Sequence, residues 1–199
     1  SSPPEAPWVP AIRDQIEELA WLAGQNRYEL PAESAPIRGP SAEDIEAAQS
    51  MSPEERVSMI QGMVSQVSQS NLTTDVATME AFGTRRHGQQ GEVNAENWLV
   101  SRMNAIGLNT STFDYDSGAD VVIGEYVGTT DPSKIVVIGA HYDSINYAGT
   151  SASAPGADDD ASGTVAVLEI ARILSQQQYD YTIRFCAWSG EESGLLGSE

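Results

Sequence analysis

Residues 135–140, Ile-Val-Val-Ile-Gly-Ala, are apolar without interruption. A strand with one wet face alternates, so an unbroken run predicts a strand covered on both faces, as in a parallel sheet. Residues 162–174 follow with helical periodicity, placing Val165, Leu168, Ala171 or Arg172, and the Ile173-Leu174 end on the buried side. Then comes Tyr181-Thr-Ile-Arg-Phe-Cys-Ala-Trp188, rich in the branched and aromatic residues that suit a pleated surface. A strand, a helix and a strand with this patterning call for parallel pairing through a right-handed crossover. A further strand is expected at 121–127, with a turn at Thr129-Thr-Asp-Pro132. The class is α/β: a mostly parallel, mixed sheet with helices on both faces.

Upstream, Ser52-Pro53-Glu54-Glu55 reads as a helix start, with the serine as cap, proline at the first position and glutamate at the third. Val57, Ile60, Val64 and Val67 then share one face. A second helix is expected over 91–106, carrying Ala95, Leu99, Arg102 or Met103, and Ile106 on one side. Gly107 stands where a left-handed terminating residue is wanted. The first fifty residues differ. Seven of the ten prolines fall within the first forty positions, around one amphipathic stretch of Ile12, Ile16, Leu19 and Ala23 closed by Gly24. Residues 1–50 therefore read as an N-terminal extension or propeptide-like segment, and 51–199 as the α/β domain.

The chain holds 29 acidic and 10 basic side chains, for a net charge of −19. Phosphate backbones and anionic lipid surfaces attract stripes of Lys and Arg, so neither nucleic acid nor a membrane is an expected partner. No apolar run approaches the roughly 18 residues of a spanning helix. The 40% apolar content is that of a chain with a packed core. The single cysteine, Cys186, allows no internal disulfide and lies mid-strand, where a small buried side chain is expected.

The polar residues that interrupt this pattern fall in one kind of place. His141-Tyr-Asp143-Ser144 follows the strand at 135–140, Asp158-Asp159-Asp160 precedes the helix at 162, and Glu191-Glu192 follows the strand ending at Trp188. In open parallel sheets the carboxyl ends of neighbouring strands line one crevice, where ligands bind. Each piece has an ordinary reading: a surface His-x-Asp, aspartates capping a helix, a solvated Glu-Glu turn. Gathered at one edge, however, these carboxylates repel unless a cation sits among them. Imidazole nitrogen and carboxylate oxygen are the donors that suit catalytic zinc. His141 can offer one ring nitrogen to metal while Asp143 orients the ring through the other. An aspartate can bridge two ions, and one glutamate of the pair can bind while its neighbour stays free as a general base.

Ile138-Gly-Ala-His-Tyr-Asp-Ser144, Ala154-Pro-Gly-Ala-Asp-Asp-Asp-Ala-Ser-Gly163 and Gly190-Glu-Glu-Ser-Gly-Leu-Leu-Gly-Ser198 closely resemble the secreted two-zinc aminopeptidases of the bacterial leucyl-aminopeptidase type. Weaker similarity extends back through Phe82-Gly-Thr-Arg85, Gly91 and Trp98-Leu99, so the resemblance covers about residue 55 onward. It implies a fold of zinc-exopeptidase type and two Zn2+ ions. His141 would bind one ion, Asp159 would bridge, Glu192 would bind the other, and Glu191 would be the general base. It also implies a cis peptide between Asp159 and Asp160, hydrolysis of the N-terminal peptide bond of a peptide substrate, and an extracellular location, with a signal peptide already removed. The family uses two further ligands, a later Asp and a distant His, which follow the third motif. The expectation is that residues 51–199 are the N-terminal part of the catalytic domain in a nicked or split enzyme. A second polypeptide would carry the rest, and the fragment alone would be inactive. His87, the other histidine, lies too far upstream to be a substitute.

A single-zinc glutaminyl cyclase-like acyltransferase shares the architecture and a His-Tyr-Asp-Ser motif. The Gly156-Ala-Asp-Asp-Asp-Ala-Ser-Gly163 and Gly194-Leu-Leu-Gly-Ser198 forms favour the peptidase branch. Carboxypeptidases of this fold often insert a domain between 127 and 135, where only a short turn fits. A non-catalytic receptor-type relative is disfavoured by the intact His141, Asp159, Glu191 and Glu192. Asn71-Leu-Thr73 and Asn109-Thr-Ser111 fit the glycosylation pattern, which short sequences match by chance.

Overall fold

A computed structural model describes residues 50–116, 118–148 and 153–199. The amphipathic stretch at 12–23 and nearly all of the expected extension lie outside them. Helix α1 (Pro53–Val64) starts as expected: Ser52 Oγ accepts the Glu55 amide and Glu55 Oε2 accepts the Ser52 amide at 2.7 Å. Val57, Ile60 and Val64 on this helix, and Val67 just beyond it, are exposed. Helix α2 (Gln69–Ala81), capped by Ser68, was not among the expected elements. Helix α3 (Gln90–Ile106) ends on Gly107 at φ 92°, a conformation that a Cβ would strain.

Strands β1 (Asn109–Phe113), β2 (Val121–Tyr126), β3 (Asp131–His141) and β4 (Tyr181–Trp188) form one mixed sheet in the order β1-β2-β4-β3. Helix α4 (Ser162–Leu174) connects β3 to β4. The β3–β4 pair is parallel, as the crossover requires, whereas β1–β2 and β2–β4 are antiparallel. Strand β1 is polar and exposed and was not expected. Strand β3 is longer than expected and irregular between Asp131 and Ile135, so the expected turn lies partly inside the strand.

The core lies on the sheet face carrying Ile183, Phe185 and Ala187 of β4 with Val122 and Tyr126 of β2. Against it pack Met79 of α2, Ala95, Leu99 and Met103 of α3, and Val165, Leu168 and Ala171 of α4. Burial of each large member contributes about 1.5–3 kcal/mol. The two open choices are thereby settled. Met103 faces inward while Arg102 pairs with Asp75 at 2.6 Å, and Ala171 faces inward while Arg172 holds Glu169 at 2.7 Å. Among the described residues the helices pack on this one face. The opposite face carries the cross-strand pair Arg184–Glu125 at 2.6 Å and the buried Cys186. Ile135, Val136 and Val137 are exposed, because β3 is the last strand of the described sheet and has a neighbour on one side only. No helix among the described residues is long and apolar enough to cross a membrane.

Candidate active site

The parallel register aligns His141 with Trp188, so β3 and β4 end side by side and their following loops are neighbours. This is the adjacency of strand ends the sequence implied. Thr164, in the first turn of α4, donates its hydroxyl to the His141 carbonyl at 2.7 Å and fixes the backbone there. His141 Nε2 lies 3.1 Å from Asp159 Oδ1 and 3.9 Å from Glu191 Oε2. On the other side of the ring, Nδ1 lies 3.4 Å from Asp143 Oδ1 and 3.3 Å from the Asp143 carbonyl. Burial opposes charging of the imidazole. The Asp143 hydrogen bond and the charges of Asp143, Asp160 and Glu191 outweigh it and push the pKa up to about 9.

The three aspartates divide the roles that the sequence left together. Asp160 Oδ1 accepts the Gly163 amide at 2.8 Å, a capping interaction at the start of α4. The Asp158 carbonyl accepts the Ser162 hydroxyl. Asp159 keeps its side chain 76% exposed and turns it to His141. The Asp159-Asp160 peptide is cis.

Asp143 does more than face the histidine. Fully buried, its Oδ1 accepts the Glu191 amide and its Oδ2 the Glu192 amide, both at 3.1 Å. Two consecutive amides on one carboxylate set the direction of the turn that carries both glutamates. Gly190 enters that turn at φ 68°, where a Cβ would also meet the Tyr115 hydroxyl. The two glutamates diverge: Glu191 faces His141, and Glu192 Oε2 accepts the Tyr147 hydroxyl at 3.4 Å. Burial, then the neighbouring Asp159 and Asp143, raise the Glu192 carboxyl above the usual range.

Arg85 belongs to this framework, and its role was not legible in the sequence. It is fully buried, with Nε donating to the Tyr142 carbonyl at 2.7 Å, Nη1 to those of Met79 and Pro155, and Nη2 to that of Gly156. Its own amide donates to Ser144 Oγ at 3.1 Å. One guanidinium thus ties the loop after His141 to the loop before the aspartates. Burial lowers its pKa to about 10, against the charges of Asp143, Glu80 and Asp160.

The donor set suits zinc in kind and in spacing. Two ligands at about 2.1 Å from a tetrahedral ion stand about 3.4 Å apart, near the 3.1 Å between His141 Nε2 and Asp159 Oδ1. Among the described residues no three His, Cys, Asp or Glu side chains converge closely enough to hold an ion by themselves. His87 lies in a different cluster, against Glu92 and Asp116.

An α/β sheet with a histidine, an aspartate and a Glu-Glu turn at adjacent strand ends defines the zinc-exopeptidase class of fold. Residues 121–199 match peptidase family M28. It is 32% identical to "Leucine aminopeptidase 1" of Coccidioides posadasii over 99% of its own length and 54% of the relative's. The chain thus spans about half the length of that relative. The solved structure of LapA from Legionella pneumophila is similar at TM-score 0.61 and 26% identity, over 74% of this chain and 41% of that one. A glutaminyl cyclase of Bacteroides thetaiotaomicron, solved with N-acetylhistamine, is similar at TM-score 0.55 and 25% identity, over 63% and 48%.

Proposed function

We propose that these residues form part of a two-zinc aminopeptidase that hydrolyses the N-terminal peptide bond of peptides. The observation that carries the reading is the pairing of His141 Nε2 with Asp159 Oδ1 at 3.1 Å beside the Glu191 carboxylate at 3.9 Å. His141 and Asp159 would hold one ion, with Asp159 and Glu192 holding the other. The remaining ligands would come from polypeptide outside these 199 residues, in the same or a second chain. Bound zinc supplies Lewis acidity toward a carbonyl oxygen and acidifies water. Glu191 Oε2 takes a proton from the attacking water and returns it to the leaving amine. Asp143 fixes the His141 ring from behind. The name of the Coccidioides relative supports the aminopeptidase reading, and an extracellular setting is proposed with it.

The test uses full-length protein, zinc analysis, and two substrates: leucyl 4-nitroanilide and a peptide with N-terminal glutamine. Two zincs per chain with release of 4-nitroaniline, and a Glu191→Ala variant that keeps both ions but loses at least about a hundredfold in turnover, is the expected result. Near-native turnover in Glu191→Ala would remove Glu191 as the base. One zinc per chain with cyclisation of the glutaminyl peptide would carry the glutaminyl cyclase reading instead, which the Bacteroides likeness keeps as the runner-up.

A further inference from the structure

Behind the Glu191-Glu192 turn lies a second cluster of buried polar groups. Glu92, in the first turn of α3, is fully buried, as is Ser189, the residue between β4 and Gly190. A buried carboxylate costs several kcal/mol unless donors surround it. Glu92 has them. Its Oε1 accepts the Ser189 hydroxyl at 2.5 Å, and its Oε2 accepts the Gly88 amide at 2.7 Å and the Ala119 amide at 3.5 Å. His87 Nδ1 stands 3.3 Å from Oε1. The Ser189 hydroxyl in turn accepts from Tyr115 Oη at 2.9 Å, so its donor and an acceptor lone pair are both used. The same Tyr115 oxygen lies where a Cβ on Gly190 would fall.

The turn is therefore gripped from two sides. Asp143 holds its main chain through the amides of Glu191 and Glu192, and Glu92 holds its entry through the side chain of Ser189. The Ser189 and Gly190 carbonyls accept the amides of Gly197 and Leu196, closing the backbone around the same point. With the Ser189 hydroxyl held by the buried Glu92 side chain and the Glu191 and Glu192 amides held by Asp143, rotation about Gly190, which would swing Glu191 toward or away from His141, is restrained from both ends.

We infer that Glu92, acting through Ser189, is a positioning residue for the reaction, fixing the Gly190-Glu191-Glu192 turn so that the Glu191 carboxylate stays beside His141. The inference rests on the reading of Glu191 as the base. Displacement of a catalytic group by about 1 Å costs up to a hundredfold in rate without weakening substrate binding.

The experiment compares Ser189→Ala, Glu92→Gln, Glu92→Ala and the Ser189→Ala/Glu92→Ala double variant in the full-length zinc-loaded enzyme, with Glu191→Ala as reference. Ser189→Ala is expected to lower kcat roughly tenfold or more. KM and bound zinc should stay at native values, and amide exchange at Glu191 and Glu192 should accelerate. Glu92→Gln, which keeps the shape and one acceptor oxygen, should retain more activity than Glu92→Ala. The double variant should be no worse than the more impaired single one, because both changes break one link. Should Glu92→Ala fail to fold, Ser189→Ala and Glu92→Gln decide the matter. Native kcat and native amide exchange in Ser189→Ala, beside an inactive Glu191→Ala, would overturn the inference, as would losses that multiply in the double variant. An active Glu191→Ala would instead overturn the base assignment, leaving amide exchange to judge whether Glu92 fixes the turn.

Discussion

Asp143 Oδ1 accepts the backbone amide of Glu191 at 3.1 Å, joining two loops 48 residues apart in the chain. With the Glu192 amide on the second oxygen, this carboxylate is as much a backbone anchor as a partner of His141.

Asp143→Asn tests the anchor. An amide cannot accept on both sides, so one N–H of the turn loses its partner. Loss of groups supporting metal ligands typically costs 10- to 100-fold in affinity or activity. The expected outcome is a fall of about that size in kcat/KM and in zinc affinity together, measured on the full-length enzyme with a competing chelator. Native values for both would show the anchor to be dispensable.

Arg85→Lys keeps a positive charge but offers one point of donation where four carbonyls now share a planar fork. Carbonyls left unpartnered in the core cost about 1–3 kcal/mol each. A stability loss of about 2–4 kcal/mol is expected in urea unfolding of the full-length protein. Zinc affinity should fall as well, since both ligand-bearing loops hang on this group.

Glu169 links α4 to the start of α2. It accepts the Ser68 amide at 2.7 Å, the Asn71 side chain, and two donors of Arg172. The Arg172 hydrogen bonds, opposed by burial, hold its carboxyl down at about 2 from an ordinary 4.5. A folded pKa below the unfolded one gives stability that is fully present above about 4.5 and is lost as pH falls from there toward 2. Glu169→Gln should therefore be less stable than the native protein at neutral pH, with the difference shrinking through that window. Parallel stability curves between pH 5 and 2 would contradict this.

Cys186 sits inside β4, where burial pushes its thiol up to about 11. Thiolate is the reactive form. Labelling with a disulfide reagent at pH 8 should be slow in the folded protein and should become fast at the urea concentration that unfolds it. Rapid labelling of the folded protein would show that the far face of the sheet opens.

The candidate site residues were legible because they break an apolar pattern: His141, Glu191 and Glu192 at strand ends, and Asp159 just before a helix. The bounds of β4 and the Ser52 cap were legible for similar local reasons. Strand direction was not, since no residue in 121–126 records that β2 runs against β4. Helix α2 hides because Leu72, Val76 and Met79 are diluted by Ser, Thr, Asn and Asp, and β1, Asn-Thr-Ser-Thr-Phe, has no apolar alternation. The roles of Arg85 and Glu92 were hidden for another reason. Their partners are chiefly main-chain groups and one serine, brought near only by the fold. The apolar run 135–140 predicts a strand covered on both faces, whereas Ile135, Val136 and Val137 are exposed on β3 at the end of the described sheet.

That position has a practical side. Three successive branched side chains, Ile135 to Val137, lie bare on a strand whose outer row of amides and carbonyls has no neighbouring strand in the described sheet. Such an edge is a template on which like chains stack into aggregates. For these residues, a charged side chain at Val137 is the change expected to lower the tendency to self-associate.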